Sequence, residues 1–451
     1  MQCALLPPEI WTQIFFWATY GPARELDVLL AIPIFDSINY RATEKQYVLS
    51  LGMKHTLALV CTEWRSLTEV FMYEDLRIRH GACALANVLE NSKKSDSNSI
   101  GHGRYVRRIS LPLMKKLSLN IDYDWENKVV RRIIDCCPNL LVFSRYRSIF
   151  VKEEDEEEDE TNGNAEPGYT EGEWDPVMPA VGRIDWNTGL AFGIQRMVSV
   201  PPRATWVAQS LQVLSLSGDN YFWSPEQLQS MSIVLLPRVH TLRIGSVYTF
   251  GVPGVDHYRM DLPALRRIIL DKAEVLHRLI DSCLRAHGEQ VREIEVAAYW
   301  RFLRSDYISA LLNYCSNVEV LHFPIFWVRV LRWRQTREMP NCVLRGLTHI
   351  GLHAAANPEI ELARAEWQQI KGHFNAIFGA NSRLPAIRRV TLHGEEWTSL
   401  VSDFQFQWVL QLAQNREVEI FCEDTISAAA LNSAKSSFAL EAYLKSESGS
   451  T

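Results

Sequence analysis

Leu262-Pro263-Ala264-Leu265-Arg266-Arg267-Ile268-Ile269-Leu270 is the stretch on which the fold turns. Pro263 cannot continue a helix and starts an extended segment. The spacing Leu265-x-x-Ile268-x-Leu270 then places apolar side chains on one face of a short strand. The same apolar-x-x-apolar-x-apolar pattern recurs at Val106-Ile109-Leu111, Leu211-Leu214-Leu216, Val239-Leu242-Ile244, Val291-Ile294-Val296, Val318-Leu321-Phe323, Leu347-Ile350-Leu352 and Ile387-Val390-Leu392. Leu140-x-x-Phe143 is a weaker copy, and Val418-Glu419-Ile420 reads as a last strand. The approach also repeats: Leu236-Pro-Arg-Val and Leu384-Pro-Ala-Ile match Leu262-Pro-Ala-Leu, and Cys137-Pro-Asn-Leu and Cys315-Ser-Asn-Val are close relatives.

Between these strands lie helical candidates at Ala273–His287, Ser305–Cys315 and Glu359–Phe378. A unit of one strand and one helix cannot hide its apolar face alone, so neighbours must stack. The expected fold is α/β, a curved parallel sheet inside with helices outside. From Leu211 onward the first anchors lie 28, 26, 26, 27, 29 and 40 residues apart, mostly within or beside the leucine-rich-repeat period of about 20–29. The array is expected over 79–425. It is interrupted by an acidic loop at 152–178 and followed by a tail at 426–451 whose serine-rich end frays. The step from Leu140 to Leu211 holds that loop plus irregular structure. Residues Glu153–Glu160 supply −8 of a net charge of −6, leaving +2 for the rest. Such a block repels itself and offers no apolar face, so it reads as a solvated spacer.

Residues 1–78 differ in character. Pro7 and Pro8 suit a first helical turn and Glu9 suits its positive end. A helix over Pro8–Tyr20 carries Ile10, Trp11, Ile14, Phe15, Trp17 and Ala18 over more than one narrow stripe. A second helical stretch, Met53–Met72, carries Leu57, Val60, Cys61, Trp64, Leu67 and Phe71 and breaks near Cys61-Thr62. So small a module cannot bury all of these side chains by itself.

Leu6-Pro-x-Glu-Ile10 with Ile14-Phe15, then Leu57-x-Leu-Val-Cys-x-x-Trp-Arg-x-Leu67 and Tyr73-Glu-Asp-Leu-Arg-Ile78, resembles the F-box. It is similar to the F-box-like proteins of mushroom-forming fungi. An insertion at about 21–54 departs from the usual short loop. Asp27-Val28-Leu29-Leu30 stands for the family's aspartate-and-leucine part. The repeats lack a regular asparagine ladder and resemble the degenerate arrays common behind F-boxes. The resemblance implies a non-catalytic substrate receptor of an SCF-type cullin-RING ubiquitin ligase. Leu6, Pro7, Glu9, Ile10, Ile14, Phe15, Leu57, Val60, Cys61, Trp64 and Leu67 would then bind a Skp-type adaptor, and the array an unknown target protein. The alternatives are an F-box scaffold outside a ligase and a repeat protein with an undetected hydrolase site.

Target-binding candidates come from the strands and the loops after them. Residues between the apolar anchors, among them Arg107-Arg108, Arg266-Arg267, Arg292-Glu293, Glu295, His322 and Arg388-Arg389, belong to the concave side. The following loops carry Tyr221, Phe222, Trp223, Tyr248, Phe250, Tyr299, Trp300, Arg301, Phe326, Trp327 and Trp397. Aromatics and arginine supply much of the binding energy at protein interfaces.

Other chemistry is poorly supported. No phosphate loop, dinucleotide fingerprint, His-Glu-x-x-His, Gly-x-Ser-x-Gly or zinc-type cysteine spacing occurs, so no catalytic residue or cofactor is expected. His393 with Glu395 and Glu396 is the best metal candidate, but two ligands without a third are weak. Scattered arginine pairs on a non-basic chain do not favour nucleic acid. No apolar run spans a bilayer, no secretory signal is evident, and nine unpatterned cysteines suit a cytoplasmic or nuclear protein. Cys136-Cys137 reads as core filling at a helix end rather than as a redox pair.

Overall fold

The computed structural model describes residues 6–19, 32, 34–78, 81–95, 101–113, 129, 132–147, 183–186, 209–218, 234–247, 260–271, 278–303, 307–330, 344–357, 363–380, 382–423, 428–433 and 435–436. The acidic loop at 152–178 lies outside these residues. The chain forms two compact units. The first comprises Met1–Ile32, Tyr40–Tyr221 and Ser230–Val239; the second comprises Pro33–Asn39, Phe222–Gln229 and His240–Thr451. Both are mixed α/β with parallel strands.

The first unit starts with α1 (Pro8–Ala18), then α2 (Asp36–Ala58, from Tyr40 onward) and α3 (Thr62–Glu74). β1 (Asp75–Arg77), α4 (Ala82–Ser95), β2 (Arg108–Leu113), β3 (Val142–Arg147), β4 (Arg183–Trp186) and β5 (Val213–Gly218) follow, with the short β6 (Val234–Leu235) near its end. Each of β1 to β5 pairs in parallel with the next. The register aligns Leu76, Ile109, Phe143, Ile184 and Leu214 in one row. The middle anchors of the sequence pattern therefore stack directly. β1 also joins the helical segment to the first strand of the array, so residue 78 is not a break. β4 falls where only irregular structure was expected, because Arg183-Ile184-Asp185-Trp186 lacks the full three-anchor spacing.

The second unit holds β7 (Thr241–Val247), β8 (Met260–Asp261), β9 (Arg267–Leu270), α5 (Arg278–His287), β10 (Glu293–Val296), α6 (Tyr307–Tyr314) and β11 (Val320–Pro324). It continues with β12 (His349–His353), α7 (Ala363–Phe378), β13 (Arg389–His393), α8 (Trp397–Ser402), α9 (Phe406–Asn415) and β14 (Glu419–Cys422). Apart from β8, these strands are parallel neighbours in chain order. Leu242, Ile268, Ile294, Leu321, Ile350, Val390 and Ile420 form the matching row. On this face Phe323 meets His373 of α7 at 5.3 Å between ring centroids, and Phe374 meets Phe406 at 6.3 Å. In the tail, residues 428–433 are helical, Leu431 is buried, and Lys435 donates to the Ile420 carbonyl at 2.7 Å.

One device repeats at many of the strand entries. The first-anchor N–H donates to the carbonyl three residues back, as in Val106 to Gly103, Leu140 to Cys137, Leu265 to Leu262, Val291 to Gly288 and Val318 to Cys315. Two consecutive N–H groups then share one carbonyl of the preceding unit. Arg266 and Arg267 donate to His240, Arg292 and Glu293 to Arg266, Glu319 and Val320 to Arg292, Thr348 and His349 to Glu319, and Arg388 and Arg389 to Thr348. The turns also explain several small or sulfur-bearing residues. A Cβ on Gly288 would lie 2.5 Å from the Tyr314 carbonyl oxygen, and one on the equivalent Gly103 would lie 1.7 Å from that of Cys136. Cys137 and Cys315 hold equivalent buried turn positions, and burial pushes both thiols up to about 12. Such thiols carry almost no nucleophilic thiolate at neutral pH, so the Cys136-Cys137 pair is core filling.

Gly288→Ala is expected to lower stability by about 1–3 kcal/mol, because the methyl group must displace backbone. Gly52→Ala, in the open middle of α2, should instead raise it by about 0.5–1 kcal/mol. Urea unfolding of both variants checks the pair, and a neutral Gly288→Ala contradicts the tight turn.

Candidate docking surface and the histidine face

In the first unit, α1 carries two apolar stripes that point different ways. Trp11 and Phe15, four residues apart, face inward: Trp64 of α3 lies 4.8 Å from the Trp11 ring and 4.9 Å from the Phe15 ring. Phe15 is fully buried. Thr19 continues this side, and Ser50 of α2 donates to its carbonyl at 2.9 Å. Leu6, Ile10, Ile14 and Trp17 follow the other stripe, and all are exposed, Ile10 at 43%, Ile14 at 41% and Trp17 at 68%. The apolar excess of this helix is thus split between a packing face and a bare face.

The second sequence block gives a similar result. α2 ends at Ala58, and Leu59 and Val60 form an exposed turn, Leu59 at 76%. Cys61 starts α3 in extended conformation and its Sγ accepts from the Trp64 N–H at 3.4 Å. A thiol here fills the role usually taken by serine or threonine. Of the expected adaptor residues, Leu6, Pro7, Glu9, Ile10, Ile14 and Val60 are exposed, and Leu57, Cys61, Trp64 and Leu67 are partly so. Phe15 is the exception: its ring is spent on Trp64 inside the unit, so it shapes the surface without being part of it. The expected insertion at 21–54 includes most of α2, a 23-residue helix that runs directly into the second block. Exposed Val48, Leu49 and Met53 on α2 add apolar surface that the sequence reading omitted.

In the second unit the described side chains of the expected aromatic rim are buried or half-buried. Trp397 is fully buried and donates its indole N–H to the Leu352 carbonyl at 3.1 Å. Phe326 is buried also, and Asn357 caps its carbonyl at 2.8 Å. Both are core residues, because the loop after each strand must close the end of the apolar layer. Trp327 is half-buried and bonds the Ala355 carbonyl, and Tyr299 is half-buried against Phe302. Trp300 and Arg301 begin a short 3-10 turn, Trp300–Leu303, and their side chains lie outside the described residues. Tyr221, Phe222, Trp223, Tyr248 and Phe250 lie outside them as well.

Histidines mark the second face of these strands instead. Alternation puts Glu293 and Glu295 of β10, His322 of β11, His349, Gly351 and His353 of β12, and Thr391 and His393 of β13 on the side away from the apolar row. Phe35 covers them. Its ring centroid lies 6.0 Å from His322, 5.1 Å from His353 and 5.3 Å from His393, all edge-on. The Phe35 N–H donates to Glu295 Oε1 at 2.8 Å. Arg267 pairs with the other Glu295 oxygen, and Arg243 holds Asp36 at 2.9 Å while also pairing with Asp271. Gly351 is the floor of this space: a Cβ there would lie 2.0 Å from His322 Nδ1 and 2.8 Å from His393 Nε2.

The expected partnership of His393 with Glu395 does not form. Gly394 takes φ 95°, which ends the strand, so alternation stops at His393 and both Glu395 and Glu396 are exposed. His393 pairs with Glu423, just after β14. Among the described residues no group of three or more His, Cys, Asp or Glu is placed to hold a metal ion. The sequence reading named His322 and His393 but missed Phe35, His349 and His353. A recurring signal was available: Leu321-His322, Leu352-His353 and Leu392-His393 place histidine after a strand anchor in three successive units.

Burial lowers the imidazoles. His353 and His373 are each brought down to about 4, and His322 is driven well below its ordinary value by burial and then by the neighbouring histidines. Burial pushes the Glu295 carboxyl up to about 7 against the opposing pull of Arg267 and the Phe35 N–H. No known protein-family model matches the chain, and no curated protein matches it.

Stability of the second unit is expected to fall with acid. His353 and His373 charge near 6.5 when unfolded and only near 4 when folded, and His322 is shifted the same way, so stability drops as pH falls from about 6.5 toward 4. His353 and His373 contribute roughly 3 kcal/mol each by pH 4. Glu295 acts oppositely between about 7 and 4.5, one group against several. His373→Gln cannot charge yet can donate to the Val328 carbonyl that His373 meets at 3.1 Å, so it should flatten the profile. Denaturant titrations at pH 7 and pH 5 that agree within error contradict this.

Proposed function

We propose that this chain is an F-box-like substrate receptor of an SCF-type cullin-RING ubiquitin ligase. Its N-terminal helices bind a Skp-type adaptor. Its repeats form a leucine-rich-repeat-like solenoid, with a curved sheet inside and helices outside, that binds a target protein. The observation carrying this reading is the exposed stripe Leu6, Ile10 and Ile14 beside the exposed turn Leu59-Val60, on helices fixed from within by Trp11, Phe15 and Trp64. Apolar side chains held rigidly in water favour burial against a partner. The residues concerned are those of the two F-box-like sequence blocks. Among the described residues no helix is long and apolar enough to cross a membrane.

In this role the chain performs no chemistry. It raises the local concentration of target lysines near a charged conjugating enzyme held elsewhere in the assembly, which turns an encounter between free molecules into one within a complex.

Exposure of Ile10 and Ile14 makes the test clean. Ile10→Asp with Ile14→Asp should leave the circular dichroism spectrum and unfolding midpoint unchanged. The same change should weaken capture of a purified Skp-type adaptor by at least about a hundredfold, as expected for two lost interface anchors. Undiminished adaptor binding by the folded double variant, or none by the wild-type chain, overturns the reading.

A further inference from the structure

We propose that the space under Phe35 is a recognition pocket for an aromatic residue followed by an acidic one in a short peptide turn, and that Ile34-Phe35-Asp36 occupies it as an internal stand-in. Three separate contacts define what the pocket selects. The histidines of β11, β12 and β13 surround an aromatic ring above Gly351, a floor position where a Cβ would run into His322 and His393. Glu295, buried and braced by Arg267, accepts the backbone N–H of the aromatic residue. Arg243, held by Asp271, pairs with the carboxylate one residue later. A ring, a backbone donor and an acid in consecutive register are the features of a short peptide epitope, and Phe35-Asp36 presents all three.

The internal segment is also an imperfect occupant. Phe35 sits at φ 57°, in the left-handed region that bulky residues adopt only under compulsion. Beneath it, among the described residues, neither ring nitrogen of His353 has a hydrogen-bond partner, and His322 Nδ1 and His393 Nε2 have none either. These imidazoles are almost fully buried. Buried polar atoms left in this way are commonly compensated in native proteins. A strained occupant that leaves them unpaired is one that a better ligand displaces. The recognition surface is therefore the polar second face of the strands, while Phe326 and Trp397 close the core.

This inference deepens the target-binding half of the function proposed above and is independent of adaptor docking. The probe is a labelled peptide with the sequence of residues 32–39, set against a control with Phe35→Ala and Asp36→Asn. Phe35→Gly in the full chain removes the ring and accepts the positive φ. It should bind the probe at least tenfold more tightly than the wild-type chain, whose pocket is occupied most of the time. Adding Arg243→Ala should then weaken binding tenfold or more, and the control peptide should bind neither protein. A folded Phe35→Gly chain that binds the probe no better than the control overturns the proposal. If Phe35→Gly does not fold, the wild-type chain decides at millimolar peptide: saturable binding of the probe alone supports the pocket, and its absence overturns it. Adaptor capture measured on the same proteins separates the two readings. Peptide failure with adaptor capture intact removes only this inference, and the reverse removes only the ligase reading.

Discussion

The strand-entry turn is the constraint on which the rest depends. At the entries to β3 and to β9 through β13, one carbonyl of the preceding unit receives two consecutive N–H groups of the next, which pins both the position and the register of the incoming strand. With that register set, the middle anchors align from β1 to β5 and again from β7 through β9 to β14. A slip of one residue would send every apolar anchor to the wrong face. Proline, buried cysteine and glycine at the turns answer to this same requirement. Each lets a backbone carbonyl approach closely or ends a helix on time. Asn139 and Asn317 bond backbone carbonyls of the preceding unit, at Arg104 and Glu289, as Gln290 does at Leu262.

Alternation along such strands makes two faces with different chemistry. One carries aliphatic and aromatic anchors and needs helices over it. The other carries glutamate, arginine and histidine at positions that pair across strands. Burial on this second face is costly unless each charge is answered. The second unit answers Glu295 with Arg267 and the Phe35 N–H, and Asp36 and Asp271 with Arg243. Burial lowers His322 and His353 on this face, which favours their neutral forms, and Phe35 covers the same surface.

The two candidate surfaces illustrate opposite ways of making a site. On α1 the side chains are bare because the helix has more apolar residues than one packing partner can cover. At the histidine face the side chains are covered, but by a strained segment that leaves polar atoms unsatisfied. The first kind of site shows as exposed apolar area. The second shows only when buried polar groups and backbone strain are considered together.

Much of the architecture was legible from residue spacing. The anchors Ile109, Leu214, Leu242, Ile268, Ile294, Leu321, Ile350 and Val390 all lie in strands, because a short parallel strand with one apolar face leaves a local and repeated imprint. The break at Cys61 and the start of α1 were legible too, since both rest on capping chemistry within a few residues. Other features had no local imprint. Ile184 has one anchor where the pattern needs three, so β4 became apparent only through its partners. Trp397 and Phe326 look like rim residues in sequence, and burial is decided by what the chain brings over them. Likewise, which stripe of α1 faces Trp64 depends on a residue more than forty positions away. Phe35 meets His322, His353 and His393 across hundreds of residues, and Gly351 becomes a floor only when those side chains converge on it. The sequence by itself determined the repeat, the strand faces and the helix ends, because these follow from short-range sterics and periodicity. Only the tertiary structure decided which apolar residues stay in water and which segment covers the histidines, because both depend on contacts between parts of the chain that no local pattern links.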